Sequence, residues 1–287
     1  MYLWDMRRKF EYDLTGKTCV VTGASSGIGK EIALGLASMN AKVILACRSE
    51  NRGQSALNWI RDNVKSAKLE LVLVDLSEKK SIQRATEEIL RAHSSIDILV
   101  NNAGVWPVEK STNSEGHELT FATNVLGYYR ITHYLLDALK SSPSSRIVNI
   151  ASSFAGGLRL DDMHFEQRPF DGAKAYKQSK QANRMLTWAL AKELDGTKVT
   201  ANAVHPGSVN TSLNRDFTGL VGYGFKIFFR MFGKSAADGA DTAIFLASDP
   251  SCVKTSGEFF AGRKLKSCSF RDDAEIKALD EYCRSYL

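Results

Sequence analysis

Apolar residues along the chain fall into short unbroken runs separated by stretches with helical spacing. Residues 18–21 (Thr-Cys-Val-Val), 42–47, 69–74, 96–100, 146–150 and 199–204 each read as a short strand apolar on both faces. Between them, apolar positions recur every three or four residues. Ile32, Leu34, Leu36 and Met39 place a helix over residues 30–39, and helices are expected over 51–64, 78–93, 115–140, 175–194 and 235–248. A short last strand is expected at 258–261, an irregular stretch at 154–174, and a polar helix of unassigned role after Phe270. Strands alternating with helices imply right-handed crossovers, and hence an α/β fold with a doubly wound (Rossmann) parallel sheet flanked by helices.

The 287 residues, 44% hydrophobic and 24% charged, suit one large domain with ample core. Only five prolines occur and no linker-like stretch interrupts the pattern, so residues 1–287 are expected to form a single domain. Residues 1–14 would be an N-terminal extension, about 205–234 a substrate lid, and 263–287 a C-terminal tail. Net charge is +6 with interspersed signs, which argues against nucleic acid as a partner and suits an anionic cofactor or a peripheral membrane contact. Five scattered cysteines have neither disulfide nor metal spacing, so a reducing, cytoplasmic setting is expected and no metal site. Residues 1–14 mix Trp4 and Phe10 with Arg7, Arg8 and Lys9, and hold no apolar run of signal or membrane-span length.

The chemistry starts at residues 22–29, Thr-Gly-Ala-Ser-Ser-Gly-Ile-Gly, between the first strand and first helix. Gly23 permits a tight turn, Gly27 permits backbone to approach a pyrophosphate, and Gly29 lets the helix lie close to the sheet. The helix N-terminus then offers N–H groups to phosphate. Glycine-rich turns also occur as plain connections, so the next signal matters. The second strand ends at Cys47-Arg48, where an NAD site would present a carboxylate to the ribose. A guanidinium there suits a 2′-phosphate, which favours NADP(H). Asp75, at the end of the third strand, could accept from an adenine amino group or cap the next helix. Asn101-Asn102-Ala103-Gly104 follows the fourth strand; its amides can brace the sheet and its small residues leave room for a ribose.

The ordered set Thr22-Gly-x-x-x-Gly-x-Gly29, Asn101-Asn-Ala-Gly104, Asn124, Ser152, Tyr176-x-x-x-Lys180 and Pro206-Gly207 resembles the short-chain dehydrogenase/reductase family over about residues 15–262. The segment around Ala46-Cys47-Arg48 and the long Ser-to-Tyr interval are similar to its retinol-dehydrogenase-like branch. The resemblance implies that Asn124, Ser152, Tyr176 and Lys180 are catalytic. Tyr176 would protonate a nascent alkoxide, and Lys180, one turn on, would lower the phenol pKa and bind the nicotinamide ribose. Ser152, with Ser153 as fallback, would hold the substrate oxygen, and Asn124 would hold a water leading from Lys180 to solvent. It further implies that Gly23, Ser25, Ser26, Gly27, Ile28, Gly29, Arg48, Asp75, Leu76, Asn102, Ala103, Gly104, Tyr176, Lys180, Pro206, Gly207, Val209 and Thr211 contact NADP(H).

Singly, each feature has an ordinary explanation. A Tyr-x-x-x-Lys pair is a common i, i+4 surface pair, a serine after a strand is a helix cap, and Asn124 is equally a packing amide. Asp161-Asp162 reads as solvated loop acids, and His117, His164 and His205 share no metal spacing. The Phe-rich residues 217–232 fit either a packed helix or a lid over an apolar pocket that touches membrane. The expected function is NADP(H)-dependent interconversion of a carbonyl and an alcohol on a lipophilic small molecule. Alternatives are reduction of a C=C bond in a conjugated ring, as in the related protochlorophyllide reductases, and a cofactor-binding interaction protein. A homodimer pairing through the two long helices, with Tyr128, Leu135, Met185 and Trp188 at the face or in the core, completes the expectations.

Overall fold

The structure, a computed structural model, describes residues 12–209 and 234–287. The chain runs β1 (Thr18–Thr22), α1 (Gly27–Ser38), β2 (Lys42–Cys47), α2 (Glu50–Asn63), β3 (Lys68–Leu73), α3 (Lys79–Ala92) and β4 (Ile98–Asn101). It continues through α4 (Leu119–Phe121), a π-helical turn (Ala122–Leu126), α5 (Gly127–Tyr134), α6 (Leu136–Ser141), β5 (Ser145–Ile150), α7 (Gly172–Glu193) and β6 (Val199–His205). It closes with α8 (Ala236–Ser248), β7 (Phe259–Ala261), β8 (Lys264–Leu265) and α9 (Asp273–Arg284).

The strands form one sheet in the order β3-β2-β1-β4-β5-β6-β7-β8, parallel except for the β7–β8 pair. Chain direction across the sheet reverses between β1 and β4. That switch point opens a crevice at the strand ends, where α/β sheets bind ligands. Both faces are covered, which explains the unbroken apolar runs. Alternate residues go to opposite faces: Cys19, Val21, Val43 and Leu45 pack with α1, α2 and α8, whereas Val20, Ile44 and Ala46 pack with α3, α5 and α6.

The structure departs from the sequence expectations at several points and settles others. The single helix expected over 115–140 is broken. Glu118 is buried and its carboxylate accepts from the N–H groups of Thr120 and Phe121, which fixes the start of α4. A π-helical turn then carries Asn124. The tail helix α9 has a clear role: Ile276, Leu279 and Cys283 pack against Phe121, Tyr129, Met185 and Trp188. Tyr128, Leu135, Met185 and Trp188, expected either at a pairing face or in the core, are buried in the core. Asp162 is buried, not solvated; it accepts from the N–H groups of Glu166 and Gln167 and pairs with Arg168 at 3.1 Å. Asp161 remains exposed beside Arg159. The irregular 154–174 stretch is thereby folded onto α7, with Arg168 Nη2 donating to Gln178 and Leu158 N–H to Gln181. Among the described residues, no helix is long and apolar enough to cross a membrane.

Candidate active site

The glycine-rich turn leaves β1 at the switch point. Gly23 and Gly27 have φ of +65° and +54°, the left-handed region where a Cβ is disfavoured. Gly29 is more tightly constrained: a Cβ there would lie 2.3 Å from Asn102 Nδ2 and 2.5 Å from the Gly23 carbonyl oxygen. The turn is tied to the loop after β4, since Asn102 donates to Thr22 O at 2.9 Å and the Asn102 and Ala103 N–H groups donate to Thr22 Oγ1. Asn101 faces inward and bridges Thr132 and Asn149, which in turn donates to Thr187. The amides after β4 thus divide their work between bracing the sheet and holding the turn.

Cys47 lies buried under the turn. Burial pushes its thiol up to about 11, against the opposing pull of Ser25 and the Ala24 backbone, so it is neutral at physiological pH. Arg48 is exposed, 3.9 Å from Asp75. Asp75 itself caps the start of the next turn by accepting from Ser77 N–H and Oγ, and Leu76 is buried. Ser25, Ser26, Ile28, Ala103, Gly104, Pro206, Gly207 and Val209 all line strand ends or the loops following them on the same edge of the sheet, Ile28 within the first turn of α1. Thr211 and residues 217–232 lie outside the described residues.

Further along this edge, Ser152, Tyr176, Lys180 and Asn124 converge. Ser152 follows β5; its hydroxyl accepts from Phe154 N–H, and it lies close enough to Tyr176 to pull the phenol pKa down. Ser153 turns away, with its N–H and hydroxyl both on His205 at 3.1 Å. Lys180, buried one turn beyond Tyr176 on α7, donates to Ile150 O at 2.9 Å and stands 5.6 Å from the Tyr176 ring centroid. Asn124 is fully buried. Its Oδ1 accepts from Val105 N–H, and its Nδ2 donates to Val105 O and Ser179 Oγ. That amide holds the kinked helix to the β4 loop.

The electrostatics differ from expectation. Burial pushes the Tyr176 phenol up to about 12, with nearby Ser152 acting in the opposite direction. Burial also brings the Lys180 ammonium down to about 7. A lysine that close to half-protonation supplies less positive charge than was expected, and the phenol stays protonated at neutral pH.

Two aromatic residues were missed by sequence reasoning. Trp106 stacks on Tyr176 with centroids 4.4 Å apart and planes 10° apart, and on Phe154 at 5.5 Å. Phe154 is 43% exposed, with Lys177 over its ring. Together they form an apolar wall beside the phenol. Among the described residues, no group of three or more potential ligands could hold a metal; His117 and His164 are stacked 5.2 Å apart.

A dinucleotide-type turn at a switch point, beside a Ser–Tyr–Lys–Asn cluster, is the arrangement of a nicotinamide-dependent oxidoreductase. Residues 17–219 match the short chain dehydrogenase family, and the chain belongs to it. It is 37% identical over 261 residues to human retinol dehydrogenase 13, covering 88% of this chain and 78% of that protein. It is 38% identical over 263 residues to mouse retinol dehydrogenase 12, covering 90% and 81%. Among solved structures it resembles an uncharacterised protein of Mycobacterium paratuberculosis (TM-score 0.75, 27% identity, 96% and 95% of the chains). It also resembles the RhlG/NADP active-site complex of Pseudomonas aeruginosa (TM-score 0.68, 26% identity, 86% and 95%).

Proposed function

We propose that the protein reduces a carbonyl on a lipophilic small molecule to an alcohol, using NADPH. The observation that carries this reading is Lys180 buried one helical turn beyond Tyr176 and 5.6 Å from its ring, with Ser152 at the end of β5, set beside the glycine-rich turn. The residues present fit a dinucleotide: Gly23 and Gly27 hold a left-handed turn that only glycine adopts readily, Gly29 lets the N-terminus of α1 close on the β4 loop, and neutral Cys47 with Arg48 suits a 2′-phosphate. The names of the retinol dehydrogenase relatives support a lipophilic alcohol or carbonyl, as do Trp106 and Phe154. Structural relatives include complexes with NADP and one with NADH, so the choice of NADPH rests on Cys47 and Arg48.

When bound, the nicotinamide nucleotide supplies the hydride. The chain supplies the proton and the geometry. Ser152 holds the substrate oxygen, and Tyr176, kept as the phenol by its raised pKa, donates its proton to that oxygen as negative charge develops there. Lys180 recharges the phenol; with a pKa brought to about 7, it can both release and regain a proton near neutrality. A protonated phenol is the acid form that carbonyl reduction requires.

The test is NADPH consumption by the purified chain against a panel of aliphatic, aromatic and polyene aldehydes and ketones, with product structures determined. Saturable consumption yielding the alcohol is expected. No consumption above background with any carbonyl, or products reduced at C=C instead, contradicts the reading.

A further inference from the structure

Helix α7 carries a third polar side chain on the face of Tyr176 and Lys180. Arg184 stands four residues beyond Lys180 and eight beyond Tyr176, the spacing that stacks side chains along one side of a helix. It is 6% exposed. Its Nη2 donates to the carbonyl oxygen of Ser152, and its Nη1 lies 3.4 Å from Cys268 Sγ. Its guanidinium sits 3.8 Å from the Phe259 ring centroid and 5.4 Å from that of Phe270. Among the described residues, no carboxylate lies within 4.0 Å of it.

A buried guanidinium without a carboxylate is poorly explained by stability. Removing a cation from water is expensive, and apolar residues of similar volume often serve a core as well or better. Position offers a better reason. The other attachments of the Ser152–Ser153–Phe154 turn hold Ser153 and Phe154: His205 and the Ala155 N–H hold Ser153, the Phe154 N–H returns to Ser152 Oγ, and the Phe154 ring stacks on Trp106. Arg184 acts on the Ser152 peptide itself. Rotation of that peptide would swing the Ser152 hydroxyl away from Tyr176 and Lys180, and a planar guanidinium wedged against Phe259 resists it.

We infer that Arg184 is a positioning residue, which locks the Ser152 peptide so that its hydroxyl stays turned towards the site of Tyr176 and Lys180. The inference rests on the reading of Ser152 and Tyr176 as the pair that engages the substrate oxygen.

The experiment is a double-mutant cycle on the full chain with NADPH and the best carbonyl of the panel. Arg184→Met should lower kcat tenfold or more while leaving KM for NADPH within about twofold, and Arg184→Lys should fall between. In a Ser152→Ala background, Arg184→Met should change kcat less than about twofold, because the hydroxyl it positions is gone. A structural role would add the same loss in both backgrounds. Amide hydrogen exchange gives a readout independent of turnover: Ser153 and Phe154 should exchange at least about fivefold faster in Arg184→Met, with Ala203 in β6 unchanged. If Arg184→Met does not fold, Arg184→Gln takes its place in both measurements. Equal losses in the two backgrounds, wild-type kcat in Arg184→Met, or unaltered exchange at Ser153 and Phe154 overturns the inference. A wild-type chain inert towards every carbonyl would instead refute the proposed function, and the exchange rates would still decide the role of Arg184.

Discussion

Replacing Gly29 by alanine adds one methyl group at the tightest point of the cofactor turn. The new Cβ would sit 2.3 Å from Asn102 Nδ2 and 2.5 Å from Gly23 O. Gly23 cannot yield readily, because its backbone is already in the left-handed region at φ +65° and its N–H is bonded to Ala46 O. Asn102 must therefore retreat by about 1 Å to restore ordinary contact, which breaks its 2.9 Å bond to Thr22 O. Overpacking of this kind costs about 1–3 kcal/mol, and an unpaired, partly buried amide about 1–3 kcal/mol more. The expected destabilisation is roughly 2–6 kcal/mol, measured by urea unfolding without cofactor. Because the same shift moves the N–H groups that would face phosphate, NADPH affinity should fall at least about tenfold in a fluorescence titration. A variant within about 0.5 kcal/mol of wild type and with unchanged affinity would refute the argument that α1 needs glycine to approach the β4 loop.

Cys47→Asp with Arg48→Ile should invert cofactor preference, since a carboxylate repels a 2′-phosphate and the guanidinium contact, about 1.5–3 kcal/mol, is lost. In the unmutated protein, kcat/KM should favour NADPH over NADH by roughly ten- to a hundredfold, and equal values would mean that Arg48 stays with Asp75 or solvent. His205 should make the fold acid-sensitive. Burial first, then Arg184 and Lys234, bring its pKa down to about 4. The unfolded chain, with its histidine near 6.5, then binds more protons between pH 6.5 and 4. Stability present above pH 6.5 is lost as pH falls through that window, by about 3 kcal/mol in all and about 2 kcal/mol by pH 5. Urea unfolding at pH 7.5 and 5 should show that loss, and His205→Asn should remove it; identical pH dependence in the variant would exclude His205 as the cause.

Much of the fold could be read because both faces of the sheet are covered. Strands such as Thr18–Thr22 and Lys42–Cys47 are then near-continuous apolar runs, and they mark the loops that carry function. The site residues could be read because they sit at fixed positions after those strands, or one turn apart on α7. What could not be read depends on contacts distant in sequence. The π-helical turn carries Asn124, whose partners are Val105, nineteen residues away, and Ser179, fifty-five away. Trp106 and Arg184 look ordinary until the chain folds the one onto Tyr176 and the other onto Ser152. The two-residue strand β8 carries no period at all. The packing of α9 did leave a signal, since Ile276, Leu279 and Cys283 mark one helical face. The pKa values also depend on burial that spacing cannot convey: Lys180 one turn from Tyr176 suggested a lowered phenol, whereas enclosure raises it.

The central claim is that Tyr176 delivers the proton to the substrate oxygen, and Tyr176→Phe tests it most directly. The substitution removes one hydroxyl and keeps the ring that stacks on Trp106. With NADPH and the best carbonyl of the panel, kcat should fall by about a hundredfold or more, while the NADPH dissociation constant stays within about threefold. Turnover within about threefold of wild type, in a variant that still binds NADPH, would contradict the account.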